Sequence, residues 1–131
     1  MAKHYRILVF GKKDCAKCKQ LNQRIDDLLG EPDWTEFEKC YYELGSIEGL
    51  VAFCKAECIN PQRIPAFVVT RFNEGTGAYD FVPNPAPGTA DPVCKTAKLY
   101  QHLGLQTDYT EAGKGVLPPK MIEAVLQQAR A

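Results

Sequence analysis

The chain has 131 residues, of which 45% are apolar, and this size suits one compact domain with its own buried core. Sixteen basic residues balance sixteen acidic residues, so the overall charge argues against a nucleic acid or an anionic membrane as partner. The apolar run near the start, Ile7 to Phe10, is too short for a signal-peptide core or a membrane span. We therefore expect a cytoplasmic, monomeric protein that forms a single domain over residues 1–131.

The first predicted elements are a strand, a helix and a second strand. A continuous run of branched apolar residues from Tyr5 to Phe10 is typical of a central strand covered on both faces. After a loop, apolar residues recur at helical spacing and predict a helix that closes at Gly30; they are Leu21, Ile25, Leu28 and Leu29. A second strand is predicted within Thr35–Leu44, and its charged residues indicate a position toward a sheet edge.

The next elements are a second helix and a third strand. Ser46 is predicted to cap the helix. Its apolar residues form one stripe that is expected to face the sheet: Ile47, Leu50, Val51, Cys54 and Cys58. Strand, helix, strand and helix in this order imply a parallel βαβ unit. Pro65 stands at the start of a third strand over Ala66–Val69, one of the few strand positions that tolerate proline.

The last elements frame an irregular segment. The turn Asn73–Gly77 precedes an antiparallel strand up to Val82, and a final amphipathic helix begins at Pro118–Pro119. We interpret residues 83–113 as an insertion, with a short helix from about 93 to 103, ended by Gly104, and an extended piece from 105 to 111. The predicted fold is of the α/β class, with a central mixed four-stranded sheet flanked by helices and this insertion before the C-terminal helix.

Two cysteines are closely spaced where the first helix begins, in Cys15-Ala16-Lys17-Cys18. A close pair in a cytosolic chain is more often catalytic or metal-binding than structural. A thiolate at Cys15 would be stabilised by the free backbone N–H groups and the positive end of the helix, and Cys18 one turn later would be the resolving thiol. Nearby lysines favour the thiolate while Asp14 opposes it; they are Lys12, Lys13, Lys17 and Lys19. A merely solvated basic rim is the alternative to a role in steering acidic substrates.

This order of elements, with C-x-x-C after the first strand and Arg63-Ile64-Pro65 before the third, resembles the thioredoxin and glutaredoxin superfamily. Lys12 stands where glutaredoxins commonly have a lysine, and Gly115-Val116-Leu117 precedes the last helix as in thioredoxins. The resemblance covers residues 3–82 and 114–129. It implies a thioredoxin-like fold, catalytic Cys15 and Cys18, a cis Pro65, substrate contacts from Lys12, Ile64 and Pro65, and no cofactor.

The chain also departs from the family at three places. Ala16-Lys17 is neither the Gly-Pro of thioredoxins nor the Pro-Tyr of classical glutaredoxins. Val9 stands where thioredoxins usually bury an aspartate, and the Gly-Gly-x-Asp segment with which glutaredoxins hold glutathione is missing. The predicted function is exchange of the Cys15–Cys18 pair with a disulfide of a protein or small molecule, recycled by a reductase or a low-molecular-weight thiol.

The alternative from a different class is a metal-binding module without redox turnover. A zinc site could use four cysteines: Cys15, Cys18, Cys54 and Cys58. A bridging iron–sulfur cluster between two copies is a second form of this hypothesis. We predict instead that Cys54 and Cys58 are core thiols and that Cys40 is structural. Cys94, in the insertion, is a candidate for an extra reactive thiol, with simple exposure as the alternative, and His4 and His102 are expected to be ordinary surface residues.

Overall fold

The computed structural model describes residues 4–55, 64–83, 103–106 and 117–130. The helices in these ranges are α1 (Ala16–Leu29), α2 (Ile47–Lys55) and α3 (Pro119–Arg130), and a 3₁₀ turn covers Pro32–Trp34. The strands are β1 (Tyr5–Gly11), β2 (Phe37–Glu43), β3 (Ala66–Asn73), β4 (Ala78–Phe81) and β5 (Gly104–Gln106). The prediction of a mixed α/β architecture is confirmed. None of the described helices has the length and apolar character of a membrane-spanning helix.

The strands form one mixed sheet in the order β2-β1-β3-β4, with β5 also paired to β3. β1 and β2 are parallel, with Val9 opposite Tyr41 and Gly11 opposite Glu43. β3 is antiparallel to β1, and both β4 and β5 are antiparallel to β3. The parallel β1–α1–β2 unit and the edge position of β2 are therefore confirmed. Within the described ranges the sheet has five strands, one more than the four that the sequence predicts.

The fifth strand shows how the insertion joins the sheet. β4 pairs with the second half of β3 and β5 with its first half. Between them, the Leu103 N–H donates to Val82 O at 2.7 Å, and the Val69 N–H donates to Leu103 O at 2.9 Å. β4 and β5 therefore form two parts of one edge, and Gly104 begins a strand instead of ending a helix. Of the predicted helix (about 93–103) and extended piece (105–111), residues 93–102 and 107–111 lie outside the described residues.

One face of the sheet carries the main hydrophobic core. Side chains of β1 and β3 on this face pack against α1 and α3, and Ile25, Ile122 and Leu126 are fully buried there. Trp34 is 1% exposed, and the guanidinium of Arg130 lies 4.1 Å from the centroid of its ring. Burial of this apolar surface is the main favourable contribution to the stability of the fold. It holds α1, and with it the Cys15–Cys18 pair, against the end of β1.

The opposite face of the sheet is covered by α2, but the side of α2 that packs inward is not the predicted apolar stripe. The cap is confirmed, since the Gly49 N–H donates to Ser46 Oγ at 3.0 Å. The predicted core residues of the stripe are exposed: Ile47 at 84%, Leu50 at 53% and Val51 at 48%. Ala52 and Phe53 pack inward instead, because Gly49 has no side chain and this side of the helix approaches the end of β2 most closely. The side chain of Cys54, and all of Cys58, lie outside the described residues.

Candidate active site

Cys15 is the N-cap residue of α1. Its backbone is extended (φ −103°, ψ 111°), and its Sγ accepts a hydrogen bond from the Cys18 N–H at 3.2 Å. The preceding residue, Asp14, has a φ of 57° and turns the chain from β1 into the helix. N–H groups in the first turn of a helix have no partner within the helix. The sulfur therefore lies at the positive end of the α1 dipole, where a thiolate is stabilised.

Cys15 and Cys18 are joined by a disulfide, with their Cα atoms 5.2 Å apart. Cys15 is half-buried, whereas Cys18 is only 1% exposed. The Lys12 N–H points at the buried sulfur and donates to Cys18 Sγ at 3.4 Å. The two sulfurs thus differ in access, although they belong to one helical turn.

The segment before β3 lies next to the cysteine pair. The Ile64–Pro65 peptide bond is cis, in agreement with the isomer implied by the family resemblance. Ile64 is 5% exposed and belongs to the same apolar cluster as Cys18, and Cys15 packs against that cluster. Lys12 contributes its backbone to this region, and its side chain is exposed. Cys94 lies outside the described residues.

Gly11 and Tyr41 are two neighbours of Cys18 that the sequence reasoning did not identify. A Cβ atom placed on Gly11 would lie 2.8 Å from both Cε2 and the hydroxyl oxygen of Tyr41, and 3.2 Å from Cys18 Cβ. The Tyr41 ring and Cys18 therefore flank the space that a side chain on Gly11 would fill. They are brought together by the β1–β2 register, which places Tyr41 opposite Val9, two residues before Gly11, and no sequence signal contains that register.

Two groups on β2 have raised pKa values. Burial raises the pKa of the Cys40 thiol, and although Arg6 opposes this effect, Glu38 adds to it. Burial also raises the pKa of the Tyr41 phenol, with a further contribution from Glu43. Both groups are therefore protonated at neutral pH.

Metal ligands do not cluster in the part of the chain that the structure describes. No three histidine, cysteine, aspartate or glutamate side chains come together there as a candidate metal site. The predicted zinc site also needs Cys58 and the side chain of Cys54, which lie outside that part. The four-cysteine site remains a hypothesis that metal analysis tests.

Comparison with known proteins bears on the fold. No protein-family model matches the sequence, and no curated protein matches it. The chain is similar to a solved structure described as that of a malarial protein, with 12% sequence identity, a TM-score of 0.51, and coverage of 98% of this chain and 100% of that chain. At this identity the likeness concerns the fold alone.

The surroundings of Cys15 and Cys40 predict different titration behaviour in the reduced protein. We expect the alkylation of Cys15 to have a pH midpoint below that of a free thiol, about 8.5, because the helix start stabilises the thiolate. Cys40 is expected to have a higher midpoint, because burial raises the pKa of its thiol. The reaction rate of each cysteine with iodoacetamide, followed by peptide mass spectrometry, checks this. The rates are measured from about pH 5 to 10, a range that brackets the pKa of a free thiol. In urea the two midpoints should coincide; equal midpoints in the folded protein would contradict the prediction.

Proposed function

We propose that this chain is a thiol–disulfide oxidoreductase with a thioredoxin-like fold, and that Cys15 and Cys18 are its reacting groups. One observation carries the proposal: a disulfide spans the first turn of α1, and it joins a half-buried cysteine at the N-cap to a fully buried one. The strand order β2-β1-β3-β4 and the cis Ile64–Pro65 bond before β3 support the resemblance to the thioredoxin superfamily. The structural likeness to the malarial protein adds no support for this function.

In the reducing direction, the Cys15 thiolate attacks one sulfur of the substrate disulfide. A bond forms between Cys15 Sγ and that sulfur, and the other substrate sulfur leaves as a thiolate that takes up a proton. The Cys18 thiolate then attacks Cys15 Sγ, closes the intramolecular disulfide and releases the second substrate thiol. The substrate gains two electrons and two protons, which the dithiol of this chain loses. A thiol reductant or a reductase returns them.

The contacts of the two sulfurs fit these two steps. Cys15 Sγ accepts the Cys18 N–H at the positive helix end, and this is the interaction that favours a nucleophilic thiolate. Cys18 is already close enough to form the disulfide, so resolution is an intramolecular step with a high effective concentration. The Lys12 N–H stabilises negative charge on Cys18 Sγ when this sulfur is the leaving group.

The substrate proposed is a disulfide in a protein or a small molecule. Ile64, which belongs to the same apolar cluster as Cys18, and Pro65 are the proposed contacts for an extended substrate segment. Exposed lysines next to the site, Lys12, Lys13 and Lys19, would favour acidic substrates. The proposal includes no cofactor and a monomeric protein in the cytoplasm.

The reduction of insulin disulfides by dithiothreitol tests this function, together with metal analysis of anaerobically purified protein. We expect the wild-type protein to accelerate insulin reduction without stoichiometric zinc or iron. Stoichiometric metal with no turnover would support the metal-binding alternative instead. In that case Cys54→Ala should release the metal if the four-cysteine site exists.

A further inference from the structure

The Tyr41 side chain extends along the edge of the sheet toward the cysteine pair. Tyr41 stands on β2 opposite Val9, yet its ring edge and hydroxyl reach the position beside Gly11, two residues further along β1. Cys18 Cβ lies 3.2 Å from the same position. The ring is therefore next to the resolving cysteine and on the side that faces β2.

This placement depends on a residue without a side chain. Tyr41 atoms would lie 2.8 Å from a Cβ on Gly11, a distance at which real atoms overlap. Any larger residue at position 11 would displace the ring from this position. Glycine at this point thus lets the Tyr41 ring lie beside Cys18.

The ring is in contact with solvent, whereas the cysteine beside it is buried. Tyr41 is 42% exposed, whereas Cys18, which it flanks, is 1% exposed. Cys18 belongs to an apolar cluster with Phe10 and Ile64. Those two side chains are themselves buried, whereas the Tyr41 ring is not.

We infer that Tyr41 is a selectivity-determining residue that shields Cys18 and directs incoming thiols and disulfides to Cys15. The inference rests on the proposed function and concerns which of the two sulfurs, Cys15 Sγ or Cys18 Sγ, an incoming thiol or disulfide meets. When a thiol attacks Cys15 Sγ, a new bond forms to Cys15, the Cys15–Cys18 bond breaks, and its electron pair stays on Cys18. Attack on Cys18 would instead place the mixed disulfide on a buried sulfur, where a second substrate cannot reach it.

The test measures access to Cys18 directly. In a Cys15→Ser background, which keeps a good N-cap residue, Cys18 is a free thiol whose alkylation by iodoacetamide is followed by mass spectrometry. Cleavage before Asp14 and Asp26 by endoproteinase Asp-N gives a peptide in which Cys18 is the single cysteine of this variant. We expect Tyr41→Ala to raise the Cys18 alkylation rate about tenfold, because the sulfur then reacts without local opening of the structure. Tyr41→Phe, which keeps the ring, should stay within about twofold of the parent.

Three controls separate shielding from general loosening. Leu50→Ala removes another exposed apolar side chain, 53% exposed on α2, and should leave the Cys18 rate unchanged. Cys40, next to Tyr41 on β2, reports on the strand and should keep its rate. In a Cys18→Ser background, Tyr41→Ala should leave Cys15 alkylation unchanged.

The inference is overturned if Tyr41→Ala leaves the Cys18 rate unchanged, or if Cys40 accelerates equally. It is also overturned if Tyr41→Phe behaves like Tyr41→Ala, because the ring would then not be the shield. Alkylation needs no turnover, so this result is independent of the insulin assay. A wild-type protein without insulin reduction would refute the proposed function, whereas normal turnover with an unaltered Cys18 rate would refute the shielding alone.

Discussion

A Cys18→Ser variant is expected to stop at the mixed disulfide and retain its substrate on Cys15. Without the second thiol, the intramolecular step that releases the substrate cannot occur. Pre-reduced protein, freed of reductant and mixed with insulin, should form about one equivalent of a covalent adduct. Non-reducing electrophoresis and mass spectrometry of the adduct measure this. The wild-type protein should release reduced insulin and accumulate no adduct.

Two further variants show whether the adduct reflects the proposed mechanism. Cys15→Ser removes the attacking sulfur and should form no adduct, with insulin reduction at the uncatalysed rate. Cys40→Ser changes the free thiol on β2, which has no part in the mechanism, and should behave like the wild type. An adduct of equal yield on the Cys15→Ser variant would contradict the assignment of Cys15 as the nucleophile.

Replacing Gly49 with alanine is expected to destabilise the protein by about 3 kcal/mol, although Gly49 lies inside a helix. A Cβ at this position would be 1.8 Å from the carbonyl oxygen of Glu43 and 2.6 Å from its carbonyl carbon. That oxygen also accepts hydrogen bonds from the Ser46 N–H at 3.0 Å and the Ser46 hydroxyl at 2.8 Å. Moving α2 away to admit the methyl group would therefore break its N-terminal cap. The free energy of unfolding in urea measures the effect.

Helix propensity alone gives the opposite sign for this substitution. In an exposed helix interior, alanine stabilises by about 1 kcal/mol relative to glycine. Gly45→Ala is the matched control, because the nearest atom to its added Cβ is a flexible Glu43 side-chain oxygen at 3.8 Å. It should change the stability by no more than about 0.5 kcal/mol. A Gly49→Ala protein as stable as the wild type would show that α2 does not pack as described.

Where local periodicity decides the structure, the sequence predicts it well. In α1 the predicted apolar residues Leu21, Ile25 and Leu28 are buried, because a helix that covers one sheet has only one stripe to bury. The run over Tyr5–Phe10 likewise becomes a central strand with neighbours on both sides. Both patterns depend on residues within a few positions of each other.

The α2 helix shows where periodicity is insufficient. Its most apolar stripe, with Ile47, Leu50 and Val51, is exposed, and the side with Gly49 and Ala52 faces the sheet. Hydrophobicity favours burying the larger residues. The short connection after β2 and the hydrogen bond from the Leu44 N–H to Gly11 O, 3.0 Å long, bring the helix so close that the glycine side fits best. The pairing of β5 with β3 was not predicted either, because a strand of three residues carries too little pattern to predict its partner.

By itself, the sequence determined the spacing of the two cysteines, since residues three apart at a helix start are one turn from each other whatever surrounds them. It also predicted that Cys15 would lie at the start of the helix, at the N-cap or in the first turn, which needs only the local order of loop and helix. Only the tertiary structure decided what surrounds Cys18, because the pairing of β2 and β3 with β1 brings Ile64 into its apolar cluster and Tyr41 beside Gly11, next to Cys18. Pairing between distant segments depends on the register and packing of the whole sheet, and no local pattern in the chain contains that information.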